Sequence, residues 1–215
     1  MLNEQSLHRF QALSVPLVAE ALTELGLVLK LAPGFHPMGA AQPLVGTAVT
    51  LRIANTDQER RGGYAHFSAA LEAARSAFAP IFVIQSPDVE GASWDLVHAV
   101  AAKQHGVRGA IVDGAARDVA EMRELGFPLY ATHLTPWPAS RRADTISLNS
   151  PIHIGGEEVD AGDIILADGN GIVVVPDESL AEVLARAEQH RQQREQSRQR
   201  LQSGTPYNDA LRPGQ

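Results

Sequence analysis

Between Ser14 and Gly26 the apolar residues Leu17, Val18, Ala21, Leu22 and Leu25 recur at the period of a helix that buries one face. Ser14 and Pro16 suit its start and Gly26 its end. Pro33-Gly34, Pro37-Met38-Gly39 and Pro43 then break any regular pattern and read as a loop. Val45, Thr47, Val49, Leu51 and Ile53 alternate with other residues, which predicts a strand with one buried face. After a break at Gly62-Gly63, residues 64–78 are alanine-rich and helical in pattern. Ala79-Pro80 ends that helix before an apolar strand over 81–84.

Residues 88–93 read as a loop, and 94–105 as a helix with Leu96, Val97, Val100 and Ala101 inward and Gly106 as its stop. Ala110-Ile111-Val112 is a short β-branched strand, Asp113-Gly114 a turn dipeptide, and Met122 and Leu125 share one face of a helix ending at Gly126. A strand over 129–132 precedes an irregular loop holding Pro136-Trp137-Pro138 and Arg141-Arg142. Gly155-Gly156 predicts a tight hairpin turn, and the turn at 168–171 joins strands over 164–167 and 172–175. Residues 178–201 are helical in pattern, but after Ala187 almost nothing is apolar, so the second half is either solvated or a strap onto a neighbouring subunit. The mixture of β-α units and hairpins predicts an α/β fold with a partly mixed sheet. Residues 1–176 form one domain, 177–202 a C-terminal helix and 203–215 a loose tail.

At 215 residues with 44% hydrophobic positions, the chain can bury one sizeable core. It has no cysteine, which excludes disulfides, thiolate nucleophiles and Cys-ligated metals. No stretch approaches the ~20 apolar residues of a membrane span, so a soluble, cytoplasmic protein is expected. The net charge of −7 argues against nucleic acid, although Arg191, Arg194, Arg198 and Arg200 cluster late in the chain; Glu188 and Glu195 interrupt them.

Arg117 and Asp118 fall at a strand-to-helix junction, the edge where α/β folds collect ligands. Around them, residues 94–103 from Trp94-Asp95-Leu96 onward, Gly106-Val107-Arg108-Gly109, the run Val112-Asp113-Gly114-Ala115-Ala116-Arg117-Asp118, and Glu121 to Pro128 closely resemble the RraA-like family. That family includes 4-hydroxy-4-methyl-2-oxoglutarate/4-carboxy-4-hydroxy-2-oxoadipate aldolases. The likeness runs from about Ser14 to Pro176, and its most specific part is Arg-Asp-x-x-Glu within Asp-Gly-x-x-Arg-Asp, intact from Asp113 to Glu121. The resemblance implies a layered ββα, swivelling-domain-like sandwich, a homotrimer or hexamer with shared sites, and a lyase: retro-aldol cleavage of a 4-hydroxy-2-oxo dicarboxylic acid to pyruvate, with decarboxylation of oxaloacetate alongside.

Such cleavage leaves an enolate, commonly stabilised by a lysine Schiff base or a divalent metal. Lys103 lies at the far end of its helix and Lys30 beside a loop, so the metal is favoured. Asp118 is a hard oxygen ligand suited to Mg²⁺ or Mn²⁺, and Arg117 a permanent cation for charge that grows in the transition state. Unpaired N–H groups near Leu96, Val97 and His98 offer a carboxylate cradle, where the resemblance puts pyruvate. The aldolases usually carry Gly and then Asp or Glu after the Trp, the acid helping to hold a metal-bound water. This chain has Asp95-Leu96, so either Asp95 stands in or the water is lost. Glu121 matches the signature and orients either Arg117 or that water, or is merely exposed. A further acid, borrowed from an adjacent subunit in the aldolases, would be Glu188 or Glu195.

No histidine pair shows the i, i+4 spacing of a zinc helix, and no Gly-x-Ser-x-Gly elbow exists. His98 and His105 read as core-flanking or solvated, and Asp168-Gly-Asn-Gly171 as a turn, not a calcium loop. The rival function is a non-enzymatic regulator of ribonuclease E of the RraA type. Those regulators lack the Asp after the Arg, so Asp118 speaks for the enzyme, and Asp95-Leu96 more weakly for the regulator.

Overall fold

The computed structural model describes residues 1–27, 30–31, 34–40, 43–56, 67–139 and 142–212. The strands are β1 (Lys30–Leu31), β2 (His36–Pro37), β3 (Leu44–Asn55), β4 (Pro80–Gln85), β5 (Ala92–Trp94), β6 (Ala110–Ala116), β7 (Leu129–Leu134), β8 (Ala143–Leu148), β9 (Ile152–Ile154), β10 (Glu157–Val159), β11 (Ile164–Asp168) and β12 (Gly171–Val175). The helices are α1 (Glu4–Gln11), α2 (Val15–Glu24), α3 (Phe67–Ser76), α4 (Leu96–Gln104), α5 (Val119–Leu125), α6 (Leu180–Gln202) and α7 (Tyr207–Ala210). Ten strands form one nearly closed mixed sheet in the order β1-β12-β11-β3-β4-β6-β7-β2, with β5 beside β6 and β8 beside β3. The β3-β4-β6-β7 centre and the β5-β6 pair are parallel; the flanks are antiparallel. The β9–β10 hairpin pairs apart from it, and Gly155 and Gly156 take the positive φ its turn needs.

Alternation along the strands sorts the core into layers. Phe82 and Ile84 of β4 face α3, α4 and α5, meeting Phe67, Ala99 and Met122. Ile81 and Val83 face the other way, into a helix-free layer with Ile111, Ile165, Val174 and the hairpin residues Ile152, Ile154 and Val159. Val173 and Val175 of β12 pack outward on Val18, Leu22, Val183 and Leu184 of α2 and α6. This is the expected layered ββα sandwich with a C-terminal helix. Each such buried aliphatic side chain contributes roughly 1.5–3 kcal/mol, so the double-sided strands carry much of the stability.

Several elements differ from the sequence reading, each for a packing reason. β3 is buried on both faces through its centre, Thr50 included, because it lies between two layers; Thr50 Oγ1 is satisfied by Ser150 O at 2.7 Å. Trp94 belongs to β5, not to a helix, and α4 therefore starts later and turns Ala99 and Ala102 inward. Val97 is left 74% exposed and Val100 outward as well. The Gly62-Gly63 break and the start expected at 64 lie outside the described residues; α3 is described from Phe67 to Ser76. Helix α1, with its Asn3–Ser6 capping box, and strand β8 had no clear signal in the pattern. The tail holds α7, whose Ala210 is fully buried.

The polar half of α6 finds partners within its own chain. Arg9 makes a two-pronged bond to Glu188 at 2.8 and 2.6 Å, Arg194 meets Glu20 at 2.7 Å, and Arg186 and His190 both reach Glu24. The Arg9 hydrogen bonds hold the Glu188 carboxyl below its usual range, against the opposing effect of burial.

Ser14 stands at the N-cap of α2 but makes no side-chain cap bond; Asp168, the last residue of β11, accepts the Val15 N–H at 2.9 Å and the Asn170 N–H at 2.7 Å. Asp168→Ala removes both acceptors, so urea denaturation should show a loss of about 1–2 kcal/mol. An unchanged midpoint would mean that water caps α2 equally well.

Candidate active site

β6 continues through Asp113 and Gly114, with a shift of register against β7 between Val112 and Ala115, so these residues form a bulge and not a turn. The glycine is needed for close approach: a Cβ there would lie 2.4 Å from Ser86 Oγ and 2.9 Å from Ser86 O. Ser86 Oγ in turn shares a buried 2.7 Å hydrogen bond with Ser93 Oγ, which locks the end of β4 to β5 underneath the site. Asp113 is turned to the β9–β10 hairpin, where Oδ2 accepts the Gly155 N–H at 3.0 Å. The real turn comes at Arg117-Asp118, where the Arg117 N–H donates to Trp94 O at 3.1 Å. Two parallel strand-to-helix crossings, β5 to α4 and β6 to α5, thus open side by side.

Asp118 adopts the left-handed conformation, φ 59° and ψ 36°, at the N-cap of α5, with no side-chain cap bond. Asp is among the few non-glycine residues that tolerate this region, and such strain concentrates at functional positions. The bend directs Oδ2 at the neighbouring crossing, 3.4 Å from the Leu96 N–H and 3.7 Å from Arg117 Nε. The carboxylate stays 38% exposed. A cleft of about 430 Å³ opens over it, lined by Arg117, Asp118, Val119, Leu134, Thr135 and Pro136. Leu134 ends β7 and Thr135 and Pro136 follow it; they had no signal in the sequence beyond lying at the end of a strand.

The N–H groups expected to be unpaired at the start of α4 are taken. Asp95 is the N-cap: its Oδ1 accepts from Val97 N at 3.1 Å and His98 N at 3.3 Å, while Leu96 N turns to Asp118. Asp95 Oδ1 also lies 2.7 Å from His98 Nδ1, and Oδ2 accepts from Arg117 Nη2 at 2.9 Å. Burial alone would push this carboxyl upward. The hydrogen bond and charge of His98, the Arg117 guanidinium and the His98 backbone N–H outweigh it and hold the group well below the usual carboxylate range. His98 is fixed in turn by edge contacts with Phe67 at 4.9 Å and a tilted contact with Trp94 at 5.6 Å.

The other candidates lie apart from this cluster. Glu121 is exposed in the first turn of α5, and the acid that grips Arg117 is Asp95. Glu188 is engaged by Arg9, and Glu195 by Arg198 at 2.8 and 2.7 Å. Lys103 donates to Leu125 O at the end of α5, on the rim of a different cavity with Pro43, Arg108 and Pro128. Lys30 pairs with Val174 in β1, at the sheet margin.

Residues 15–174, which hold both crossings and the cleft, match the family model RraA-like, Aldolase/RraA. The chain belongs to the RraA-like family. An uncharacterized protein of Methanocaldococcus jannaschii is 31% identical over 179 residues, covering 83% of each chain. A protein of Halalkalibacterium halodurans named putative 4-hydroxy-4-methyl-2-oxoglutarate aldolase is 29% identical over 186 residues, 83% of this chain and 80% of that one. Streptomyces coelicolor RraAS2, an unusual member of the RNase ES inhibitor RraA protein family, has the same fold with a TM-score of 0.81 at 27% identity, over 93% of this chain and 100% of that one. Among these relatives one thus carries the name of an aldolase and another that of a ribonuclease inhibitor.

The strain at Asp118 can be separated from its chemistry. In this RraA-like chain Asp118→Gly removes a left-handed side chain, so its thermal midpoint should match or exceed the parent's. Asp118→Val should lower stability by about 1–3 kcal/mol. Equal losses for both variants would show that the carboxylate itself holds the crossing together.

Proposed function

We propose that this RraA-like protein is a divalent-metal-dependent carbon–carbon lyase. Its substrate class is a small 4-hydroxy-2-oxo dicarboxylic acid, cleaved in a retro-aldol sense to pyruvate, with oxaloacetate decarboxylation as the companion reaction. The observation that carries the reading is the adjacent pair Arg117 and Asp118, a fixed cation and a partly exposed, backbone-strained carboxylate on one cleft. The donor chemistry fits Mg²⁺ or Mn²⁺. Asp118 offers a hard oxygen, and among the described residues no group of three His, Cys, Asp or Glu is arranged to hold a metal. Mg²⁺ accepts such a sparse site, because water and substrate oxygens complete its shell.

When bound, the ion would act as a Lewis acid on the 2-oxo group. The rest falls to the chain. The 4-hydroxyl gives its proton to solvent and C4 becomes a carbonyl as the C3–C4 bond breaks; the electron pair of that bond delocalises onto the 2-oxo oxygen, and Arg117 holds the charge that develops there. Protonation of C3 by solvent then gives pyruvate, and the C4 fragment leaves as a second carbonyl compound. Because α4's first N–H groups are already bonded to Asp95 and Asp118, the cleft side of Arg117 is the better reading for the substrate carboxylate.

The rival reading, a non-enzymatic regulator of ribonuclease E, draws support from that same filled helix start and from the likeness to RraAS2. The arginines that would face nucleic acid on α6 speak against direct RNA contact, since Arg194 and Arg198 pair with Glu20 and Glu195, and Arg191 and Arg200 donate to the carbonyl oxygens of Ala12 and Arg212. No helix among the described residues is long and apolar enough to cross a membrane. A homotrimer or hexamer with sites at subunit boundaries is part of the proposal. Its support is no longer a partnerless α6 but exposed apolar side chains: Leu134 on the cleft, Val97 at the start of α4 and Trp137 next to Pro136, the last 73% exposed.

Two measurements test this. Pyruvate release from oxaloacetate and from 4-hydroxy-4-methyl-2-oxoglutarate should depend on added Mg²⁺. Asp118→Asn should lose both metal affinity and turnover, whereas Arg117→Lys should bind metal normally and turn over on the order of a hundredfold more slowly. No turnover of either substrate by the parent would favour the regulator. Light scattering at micromolar concentration should give a multiple of the 23.0 kDa chain mass, and a monomer would remove the shared-site arrangement.

A further inference from the structure

A helix N-cap needs one acceptor oxygen, and Ser or Thr supplies it as well as Asp does. Asp95 uses Oδ1 for that purpose and turns Oδ2 away from the helix, 2.9 Å from Arg117 Nη2. Its side chain is only 14% exposed, so this charge-assisted bond is shielded from water. Its freedom to swing is removed from the other side by His98, whose Nδ1 lies 2.7 Å from Oδ1 and whose ring is wedged against Phe67 and Trp94. The backbone of Arg117 is pinned to the same segment through Trp94 O. The guanidinium therefore spans two carboxylates, with Nη2 on Asp95 and Nε nearest Asp118 Oδ2 at 3.7 Å.

We infer that Asp95, held by His98, is the positioning residue of the site: it sets the orientation of Arg117 toward the reacting oxygen and does not itself contact metal or substrate. The inference rests on the lyase reading for its kinetic consequence, but not for its geometric one. An arginine free to rotate presents its donors in many directions, and an electrostatic donor stabilises a transition state only when fixed within about 0.5 Å of the productive position.

The test separates capping from positioning. Asp95→Ser keeps an acceptor for the Val97 and His98 N–H groups and loses the grip on Arg117; Asp95→Ala loses both. Asp95→Ser should melt near the parent temperature and bind Mg²⁺ within about twofold of the parent, while kcat on oxaloacetate falls about tenfold or more with little change in KM. Asp95→Ala should lose the same kcat and also stability. Full kcat in Asp95→Ser, or a loss confined to metal affinity, would overturn the inference.

Crystal structures of the parent and of Asp95→Ser give a readout without turnover. The Arg117 guanidinium should shift by more than about 0.5 Å or become disordered in the variant. A guanidinium in the same place in both overturns the positioning role. If the parent releases no pyruvate from either substrate, the lyase reading fails, and the crystallographic comparison alone decides the role of Asp95.

Discussion

The backbone hydrogen bond from the Arg117 N–H to Trp94 O ties together two pieces of chain 23 residues apart. A lone strand-to-helix crossing gives one helix start and one or two side chains. Two crossings fastened edge to edge give a shared corner, in which a residue of one crossing can cap, pair with or restrain a residue of the other. Asp118 reaches the first N–H of α4, Asp95 reaches the side chain before α5, and neither contact exists without the parallel β5–β6 pairing. Gly114 and the Ser86–Ser93 pair beneath belong to the same constraint, since a side chain at Gly114 would push β4 off β6.

Much of this was legible in the sequence. The apolar periods of α2, the 81–84 strand, the β11–β12 pair and the α6 segment all correspond to observed elements, because in each the hydrophobic pattern and the flanking Gly or Pro agree. The Arg117-Asp118 junction was legible from the strand before it and the helix after. Misreadings arose where a local signal met a long-range demand. Asp113-Gly114 is a turn dipeptide by composition, yet the site needs its glycine for inter-strand space. Trp94 was taken into a helix because the apolar residues after it fit a helical period. The β5–β6 pairing that claims it depends on residues about 20 positions away. The phase error in α4 follows from that: once Trp94 is in a strand, the small residues Ala99 and Ala102 face the core.

The filled helix start is the feature least accessible from one dimension. Asp95 reads equally as a cap, a dipole partner or a site acid, and the choice turned on where its second oxygen points. Electrostatics follow the same logic over the whole molecule. The late arginines look like a basic stripe when counted along the chain, but the fold sets Glu20 of α2 opposite Arg194, and Arg198 pairs with Glu195 on its own helix.

The left-handed backbone at position 118 also bears on how such a fold changes role over time. That conformation costs Gly nothing, and costs Asp and Asn less than most other side chains. Codons for Asn and for Gly each lie one base from a codon for Asp. A lineage built on this corner can therefore discard its carboxylate in a single step while the sheet, the layers and the surface stay as they are. Descendants of one scaffold with and without a carboxylate at this corner are then separated by a substitution that folding scarcely registers.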